Sequence, residues 1–580
     1  MSLPLVSGLS SYYEFRELEL AVFLVLGLTV FATLVKLGSA ALEDHIFEIL
    51  VWSVSLSLIL STASFSQYLW GWDIQREFAI FQQVSRTGVW NFGNDFIYNS
   101  SISISILPAM VQALTGLDGQ DVFKFIYPLV FSIVPVVLYK IYRRFSSPKA
   151  AFLSVFLVMS YYPFYNELVH IGKQMIAELL MVLLLWILVS EVNEKSLGVV
   201  GALLLSVGLI TSHYTLAYIW FAFVAFSLVT SRITRKVVAA STWVMVVVFG
   251  VMTLAWYAFV ASGAALNTFV GWLSNVIQGI TQDFFNPSTR PEEALQAAGL
   301  TAWTPGLLHE LFRLTNYIVP LCIVVGFIAF VYKRKKSPAE RKMLPLMTIA
   351  LVFLVSAIIL PSFEGIPFSR IYHLSLLFCS PCFVIGAELP IMWGRRACTS
   401  LSHYLPVFHL RFSSRGKIIA ATILFSYFLF TSGWVWAASL DPKPTSIVLD
   451  SRRMAAEPVK TDYLYYQDVD LPTDVNGAFW LRSYGENGPR YCADYVSRFH
   501  VLYAYAEFDS SQSQLLRYCD LSKSYIFLSE LNVLHAVGVD FQEPYGTPLF
   551  YQFSTNIFTN SSNRLYSNGG TAIYAGVKLS

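Results

Sequence analysis

Residues 46–78 read IFEILVWSVSLSLILSTASFSQYLWGWDIQREF. The run from Ile46 to Trp70 is long and apolar enough to cross a bilayer. It gives way at once to Trp72-Asp73-Ile74-Gln75-Arg76-Glu77-Phe78. Ionisable groups at a membrane boundary are costly unless they face water or a partner, which makes them candidates for function. Asp73 and Glu77 are four positions apart, so a helix sets both carboxylates on one face. An amphipathic stretch from Phe78 to Arg86 follows, and Thr87-Gly88-Val89-Trp90 reads as its stop. The segment fits a catalytic carboxylate at the outer face of a membrane enzyme. It also fits a solvated helix end with an Asp73, Arg76 and Glu77 charge cluster.

The rest of the chain carries the same signature. Of 580 residues, 55% are hydrophobic and only 13% are charged, with mean hydropathy +0.56. That composition belongs to multi-spanning membrane proteins. About twelve spans are expected, at 20–40, 46–66, 121–142, 149–166, 173–190, 196–212, 214–231, 237–260, 314–332, 343–361, 371–392 and 418–438. Basic residues gather in four of the connections: Lys140 to Lys149, Arg232 to Lys236, Lys333 to Lys342, and Arg395 to Lys417. Placing these in the cytoplasm gives a consistent alternation. Outer loops 67–120 and 261–313, the Pro361–Arg370 turn and everything after Ala438 then lie outside. The net charge of +2 gives no support for nucleic-acid binding.

After Ser439 the sequence turns rich in Tyr, Ser, Asn and Asp and holds no run long enough to span. Strand-like Ser524 to Leu528 and Ala572 to Ala575 alternate with helix-like Val475 to Leu481 and Leu531 to Val537. The expected architecture is a polytopic α-helical membrane domain, 1–438, with a small extracytoplasmic α/β domain, 439–580. Cys379-Ser380-Pro381-Cys382 has CxxC spacing but lies in an apolar span, and Cys398 falls in a cytoplasmic loop. Cys492 and Cys519 form the only pair in the oxidising compartment, so a disulfide is expected between them. Asn99 and Asn560 match the N-glycosylation pattern on the outer side.

Four clusters converge on the outer boundary. The first is Asp73 and Glu77. The second runs from Asn166 through Glu167, His170, Lys173 and Gln174 to Glu178, about one turn inside the next span, where a carboxylate needs a cation, a metal or a proton. Pairing with Lys173, or capping by a neighbouring hydroxyl, would make Glu178 purely structural. The third is Thr211-Ser212-His213-Tyr214 at a tight turn, where a histidine serves equally as a hydrogen-bonded turn residue. The fourth is Arg370-Ile371-Tyr372-His373, entering a span from outside. Its guanidinium fork suits a phosphate, although it could snorkel to headgroups.

Together these supply what transfer from a lipid-phosphate-linked donor requires. A carboxylate orients or deprotonates the acceptor, and a cation or metal meets the departing phosphate. The roles expected are Asp73, Glu77 and Glu178 for catalysis and Arg370 with Lys173 for the donor phosphate. Arg76, His170, Gln174, His213, Tyr214, Tyr372 and His373 would line the cavity. A divalent cation (Mg or Mn), if one takes part, falls to Asp73 and Glu178. The 261–313 loop, amphipathic from Phe269 to Phe285, is long enough to close over the cavity.

The order Asp73, Arg76, Thr87-Gly88-Val89-Trp90, Ser101 to Pro108 and Leu114-Thr115-Gly116 resembles the first outer loop of GT-C glycosyltransferases. It is most similar to the protein-mannosyltransferase and lipid-A aminoarabinose-transferase branch, where an Asp-Glu pair opens the amphipathic helix. The resemblance puts Asp73 at the catalytic Asp; Ile74 replaces the adjacent Glu, and Glu77 offers a carboxylate one turn later. It implies a polyprenyl (dolichyl) phosphate sugar donor in the bilayer and an extracytoplasmic glycan, lipid or protein acceptor. The run His170 to Leu180, Ser212-His213-Tyr214, Arg370 to His373, Ala478 to Leu481, Tyr491 to Asp494 and Asn563 to Gly570 also resemble an uncharacterised archaeal GT-C-like membrane family. Two other classes fit the composition: a transporter or flippase of lipid-linked saccharides, and a non-catalytic scaffold for surface glycans. No internal repeat supports the transporter. The scaffold gives Asp73, Glu178 and Arg370 no reason to be neighbours.

Overall fold

In the computed structural model of the chain the described residues are 2–12, 18, 21–29, 44–94, 96–190, 196–233, 240–286, 289–290, 292–297, 304–333, 335–361, 366–397, 414–441, 464–485, 490–508, 513–520, 524–541, 548–553 and 562–576. Cys398, Asn560 and most of the expected 20–40 span lie outside them. Among the described residues eight helices are long and apolar enough to cross a membrane. They include α1 (Asp44–Ala63), ahead of the amphipathic α2 (Asp73–Thr87). After α2 come α3 (Gly119–Arg143), the shorter α4 (Pro148–Ser160) and α5 (Gly172–Val189). The series continues with short α6 (Gly198–Ser212), then α7 (Tyr214–Arg232), α8 (Trp243–Gln282), α9 (Leu307–Tyr332), α10 (Pro338–Ile359), α11 (Phe368–Ala397) and short α12 (Gly416–Thr431). The chain is a polytopic α-helical membrane protein with a small C-terminal sheet region.

Several boundaries depart from the sequence expectation for visible reasons. Helix α1 ends at Ala63, because the Trp70 indole folds back to donate to the Thr62 carbonyl (3.0 Å) and residues 64–72 bend. Helix α4 stops at Ser160 rather than 166, and Pro163 makes the next turn 3₁₀. The expected 237–260 span, by contrast, ends on schedule: within α8 the left-handed Ala261 and Ser262 (φ 53° and 51°) break the helix, which resumes over Ala264–Gln282 along the amphipathic stretch. Helix α2 closes where expected: Gly88 takes φ 66° and donates to the Val84 carbonyl. Asn99 is buried at 3% exposure and its carbonyl accepts from the Trp90 indole, so this asparagine is not displayed for glycosylation.

Helix α11 is the hub, with 94% of its spanning window enclosed. It packs on α9 at backbone contact: a Cβ on Gly326 would fall 1.8 Å from the Cys382 carbonyl oxygen, and one on Gly386 1.9 Å from that of Cys322. Small residues at such crossings let dispersion replace the hydrophobic drive that lipid cannot supply. Cys379 and Cys382 are buried, free thiols inside this helix.

The C-terminal region has a sheet in the order β2-β1-β3-β7-β6, with β1 (Arg490–Ala493), β2 (Ser513–Leu515), β3 (Ser524–Leu528), β6 (Ser562–Ser567) and β7 (Ala572–Gly576). Strand β1 runs parallel to both neighbours; β3–β7 and β7–β6 are antiparallel. Strands β4 (Val537–Phe541) and β5 (Pro548–Gln552) pair separately. The helices that accompany the sheet include α13 (Pro472–Tyr484) and the π-helical α14 (Ser497–Ala506). Cys492 and Cys519 are disulfide-bonded, with Cα atoms 5.8 Å apart.

This region sits on the end of the bundle that carries Asp73. The Gly71 N–H donates to the Asp468 carbonyl (2.6 Å), Trp70 bridges Val469, and the Leu69 N–H donates to the Tyr505 hydroxyl (3.2 Å). Trp72 meets His500 edge-on at 4.7 Å, and Phe78 lies 5.8 Å from Tyr505.

The α9–α11 crossing predicts a sharp asymmetry among glycines. Gly386→Leu forces the backbones apart and should cost about 1–3 kcal/mol or more, read as a lowered melting temperature of the detergent-solubilised protein. Gly271→Ala, with nothing within 4 Å of its Cβ, should leave melting unchanged; equal melting of the two variants would refute the crossing.

Candidate functional site

Asp73 is the first residue of α2, where the helix dipole favours an anion, and Glu77 follows one turn on. Both face the start of α5. Gly172 opens that helix, and a Cβ there would lie 2.8 Å from Glu77 Oε2 and 3.1 Å from the Tyr127 ring. Its bareness lets the Lys173 N–H reach Glu77 Oε2 (3.4 Å) while the Lys173 ammonium meets Oε1 at 2.9 Å. Lys173 is 3% exposed and Glu77 not at all. The same ammonium lies 3.8 Å from Asp73 Oδ2 and 3.8 Å from the centre of the Tyr98 ring.

Asp73 is the open member of the cluster, 23% exposed. Tyr98 donates to its Oδ1 at 2.5 Å, and Arg370, on the first turn of α11, approaches Oδ2 at 3.8 Å. Burial pushes the Asp73 carboxyl up, but Lys173, Arg370, the Tyr98 hydroxyl and Arg76 outweigh it. They hold the group well below the usual carboxylate range. Glu77 moves the other way. Enclosure, with Asp73 adding to it, lifts its pKa to about 7 against the pull of Lys173. One carboxylate is thus open and ionised, the other sealed under a lysine.

Around this centre, Arg370 also reaches Glu167 Oε2 (3.8 Å), which accepts from the Ser369 hydroxyl (2.9 Å). His213 is buried at the α6–α7 turn, near enough to feel Lys173, Arg370 and Asp73. Its enclosure, then those two cations, keeps the imidazole neutral. Tyr214 follows it and acts electrostatically on Tyr98. Arg76 points to the C-terminal region and donates to the Tyr495 hydroxyl (3.3 Å).

Other sequence candidates go elsewhere. Glu178 and His373 pair with each other at 2.9 Å, both with zero exposure, so neither side chain lines an open cavity. His170 packs on Trp70 (3.9 Å between rings) beneath left-handed Gly71, whose Cβ would strike it, and burial lowers its pKa to about 3. Tyr372 meets Tyr161 edge-on. Gln174 is buried beside Lys173. Among the described residues no group of three or more His, Cys, Asp or Glu is placed to hold a metal. The ammonium of Lys173 lies beside Asp73 and Glu77, and Glu178 is taken by His373, so this donor set does not fit a shared divalent cation. Glu167 belongs to the second sequence cluster but carries no assigned role there, and Tyr98 is absent from all four clusters. Tyr98 carries no motif, and only the fold of residues 97–104 brings it to Asp73.

A model of the DUF2206 family, described as a predicted membrane protein, matches residues 201–574. The chain belongs to that family. No curated protein matches it. Among solved structures it is similar to ArnT from Cupriavidus metallidurans bound to undecaprenyl phosphate, at 13% identity and TM-score 0.45, covering 92% of this chain and 97% of that one. It is also similar to the Archaeoglobus fulgidus oligosaccharyltransferase in its apo form, at 10% identity and TM-score 0.45, over 88% of this chain and 75% of that one. The same enzyme tethered to an acceptor peptide with the NVT sequon gives 11% and 0.44, over 88% and 74%. Likenesses this distant leave the function to be read from the site.

Lys173 holds two carboxylates, which sets two expectations. Lys173→Met strands Glu77 in a dry environment and should cost about 3–5 kcal/mol in unfolding, and adding Glu77→Leu should recover most of it. A double variant no more stable than the single would show that the pair does not hold the site. Asp73 is depressed relative to its unfolded value of about 3.9, so its pairing stabilises fully above that pH and is lost as pH falls through the folded pKa. The stability gap between wild type and Asp73→Asn should shrink below about pH 4; a gap independent of pH would remove the ion-pair account.

Proposed function

We propose that the protein is a glycosyltransferase of GT-C type in the cell membrane. It moves a sugar from a polyprenyl-phosphate donor to an extracytoplasmic acceptor. One observation carries the reading: Asp73 is open and ionised, set 3.8 Å from each of two cations, Lys173 and Arg370, that stand at the mouths of membrane-spanning helices. A lipid-borne phosphate arriving along α5 and α11 meets permanent positive charge there, and guanidinium binds its oxygens in a fork. The sugar carbon attached to that phosphate then lies near Asp73. The resemblance of the first loop to GT-C enzymes points to the same aspartate.

In this mechanism Asp73 accepts the hydrogen of the acceptor hydroxyl as its oxygen attacks the anomeric carbon. The bond from that carbon to the phosphate oxygen breaks, and Lys173 and Arg370 take up the charge on the leaving phosphate. Glu77 keeps Lys173 oriented, and Tyr98 fixes the Asp73 rotamer. Glu178 and His373 brace α5 against α11. The four basic loops support an outer position for the Asp73 end and the C-terminal region.

Purified protein incubated with a panel of polyprenyl-phosphate sugars should cleave the donor bond. Asp73→Asn should lower turnover by about 10²–10⁴-fold, or about 3–5 kcal/mol of barrier, with donor binding kept. Arg370→Ala should instead weaken donor binding by about tenfold or more. Wild-type turnover in Asp73→Asn, or unchanged donor affinity in folded Arg370→Ala, would overturn the assignment.

A further inference from the structure

We infer that the wall built by α14 beside Asp73 is the acceptor subsite, and that it takes a saccharide bearing an anionic group, a carboxylate or a phosphate. The inference rests on the reading of Asp73 as the transfer site. Two guanidiniums flank one ring: Arg76 Cζ lies 5.3 Å and Arg498 Cζ 5.2 Å from the centre of Phe499. Arg76 donates to Tyr495, whose ring is 4.5 Å from that of Phe499. Arg498 donates through Nε to the Ser513 hydroxyl (2.8 Å) and through a terminal nitrogen to the Ser513 carbonyl (3.4 Å).

Those partners are all neutral. Among the described residues neither guanidinium has a carboxylate within 4 Å, although Arg76 feels Asp73 and Arg498 feels Asp540 at longer range. Arg86 and Arg482 nearby are different, for both pair with Glu507. Arg76 and Arg498 are half-buried, and the Nε of Arg76 is enclosed with no acceptor. A cation taken this far from water with no carboxylate in contact costs free energy that an anion binding directly returns.

The rings supply the second half of the recognition. Tyr495, Phe499 and Tyr503 recur every four residues, each half-buried, and Tyr503 meets Phe96, which stacks on Tyr98, the Asp73 partner. The negative face of an aromatic ring packs against the C–H face of a pyranose, while guanidiniums take its oxygens. Cations therefore stand on both sides of Asp73. The pair on the membrane helices suits a lipid-borne donor, and the pair against α14 suits an acceptor arriving from the C-terminal region.

The test is calorimetric titration of full-length protein with a glucuronate-containing hyaluronan tetrasaccharide, mannose 6-phosphate, neutral maltotetraose and inorganic phosphate. One of the two charged saccharides should bind about tenfold or more tighter than both maltotetraose and inorganic phosphate, and which one wins separates carboxylate from phosphate. Arg498→Gln and, on the other element, Arg76→Gln should each weaken that binding by about tenfold, while Arg498→Lys keeps most of it. Maltotetraose or inorganic phosphate binding as tightly, no probe binding, or full binding in folded Arg498→Gln would each overturn the inference. Binding is read without turnover. Charged-sugar binding in a protein that cleaves no donor would sink the transfer reading alone, and donor cleavage with no preference for charged sugars would sink this inference alone.

Discussion

The contact between Lys173 and Glu77 is the constraint on which the rest of the site depends. A lysine at the first turn of a membrane helix and a fully enclosed glutamate are each prohibitive alone, and together they are tolerable only at hydrogen-bond distance. That requirement fixes the height of α2 against α5, and Gly172 is bare because any side chain would hold the helices apart. Once Glu77 is fixed, Asp73 one turn earlier has one place to be: at the edge of the same ammonium, beneath Tyr98 and beside Arg370. The openness of Asp73 follows from the closure of Glu77.

The C-terminal region belongs to this arrangement. Its approach segment is stitched to residues 69–71 by backbone hydrogen bonds, and α14 rests on α2 through Trp72, Arg76 and Phe78. Burying Trp70 and Phe65 against Val469 and Leu471 adds an apolar seam at the same joint. The helix that carries Asp73 is therefore clamped from both sides, by the membrane helices through charge and by the sheet region through backbone and rings. Such double support holds a reacting group in place far better than a loop does.

The sequence reveals the parts with a period or a cost. Span-length apolar runs, the α2 pattern with its Gly88 stop, the strands at 524–528 and 572–576, and the cluster of Asp73, Lys173 and Arg370 all follow from residues alone, because burying charge or breaking periodicity leaves a local mark. Other members have no local mark. Tyr98 is one tyrosine among 32, and the sequence puts Glu167 at the outer boundary without naming Ser369 and Arg370 as its partners. For Glu178 the sequence position sets depth along α5, about one turn inside, and only packing against α11 shows that its partner is His373. The end of α4 at Ser160 shows the same limit: apolarity continued to Phe164, but the chain had already turned.

A base held well below the usual carboxylate range is a poor proton acceptor, and this bears directly on the proposed mechanism. Two full charges about 4 Å from Asp73 each contribute on the order of 4 kcal/mol at an effective dielectric of 20, an upper figure for a part-exposed group. Each cation shares its charge with a second carboxylate, Lys173 with Glu77 at 2.9 Å and Arg370 with Glu167 at 3.8 Å, which trims the figure further. A phosphodiester bound between Lys173 and Arg370 competes for both, because its anionic non-bridging oxygens draw the guanidinium fork and the ammonium onto themselves. Asp73 then loses most of the stabilisation of its ionised form, and its proton affinity rises toward that of an ordinary carboxylate. Basicity becomes conditional on the donor being present. Under the proposed mechanism, before the donor arrives Asp73 shares with Glu77 and Glu167 the task of balancing Lys173 and Arg370 at the membrane edge. On that mechanism the bound donor takes over the Asp73 share, and the carboxylate is released to act on the acceptor.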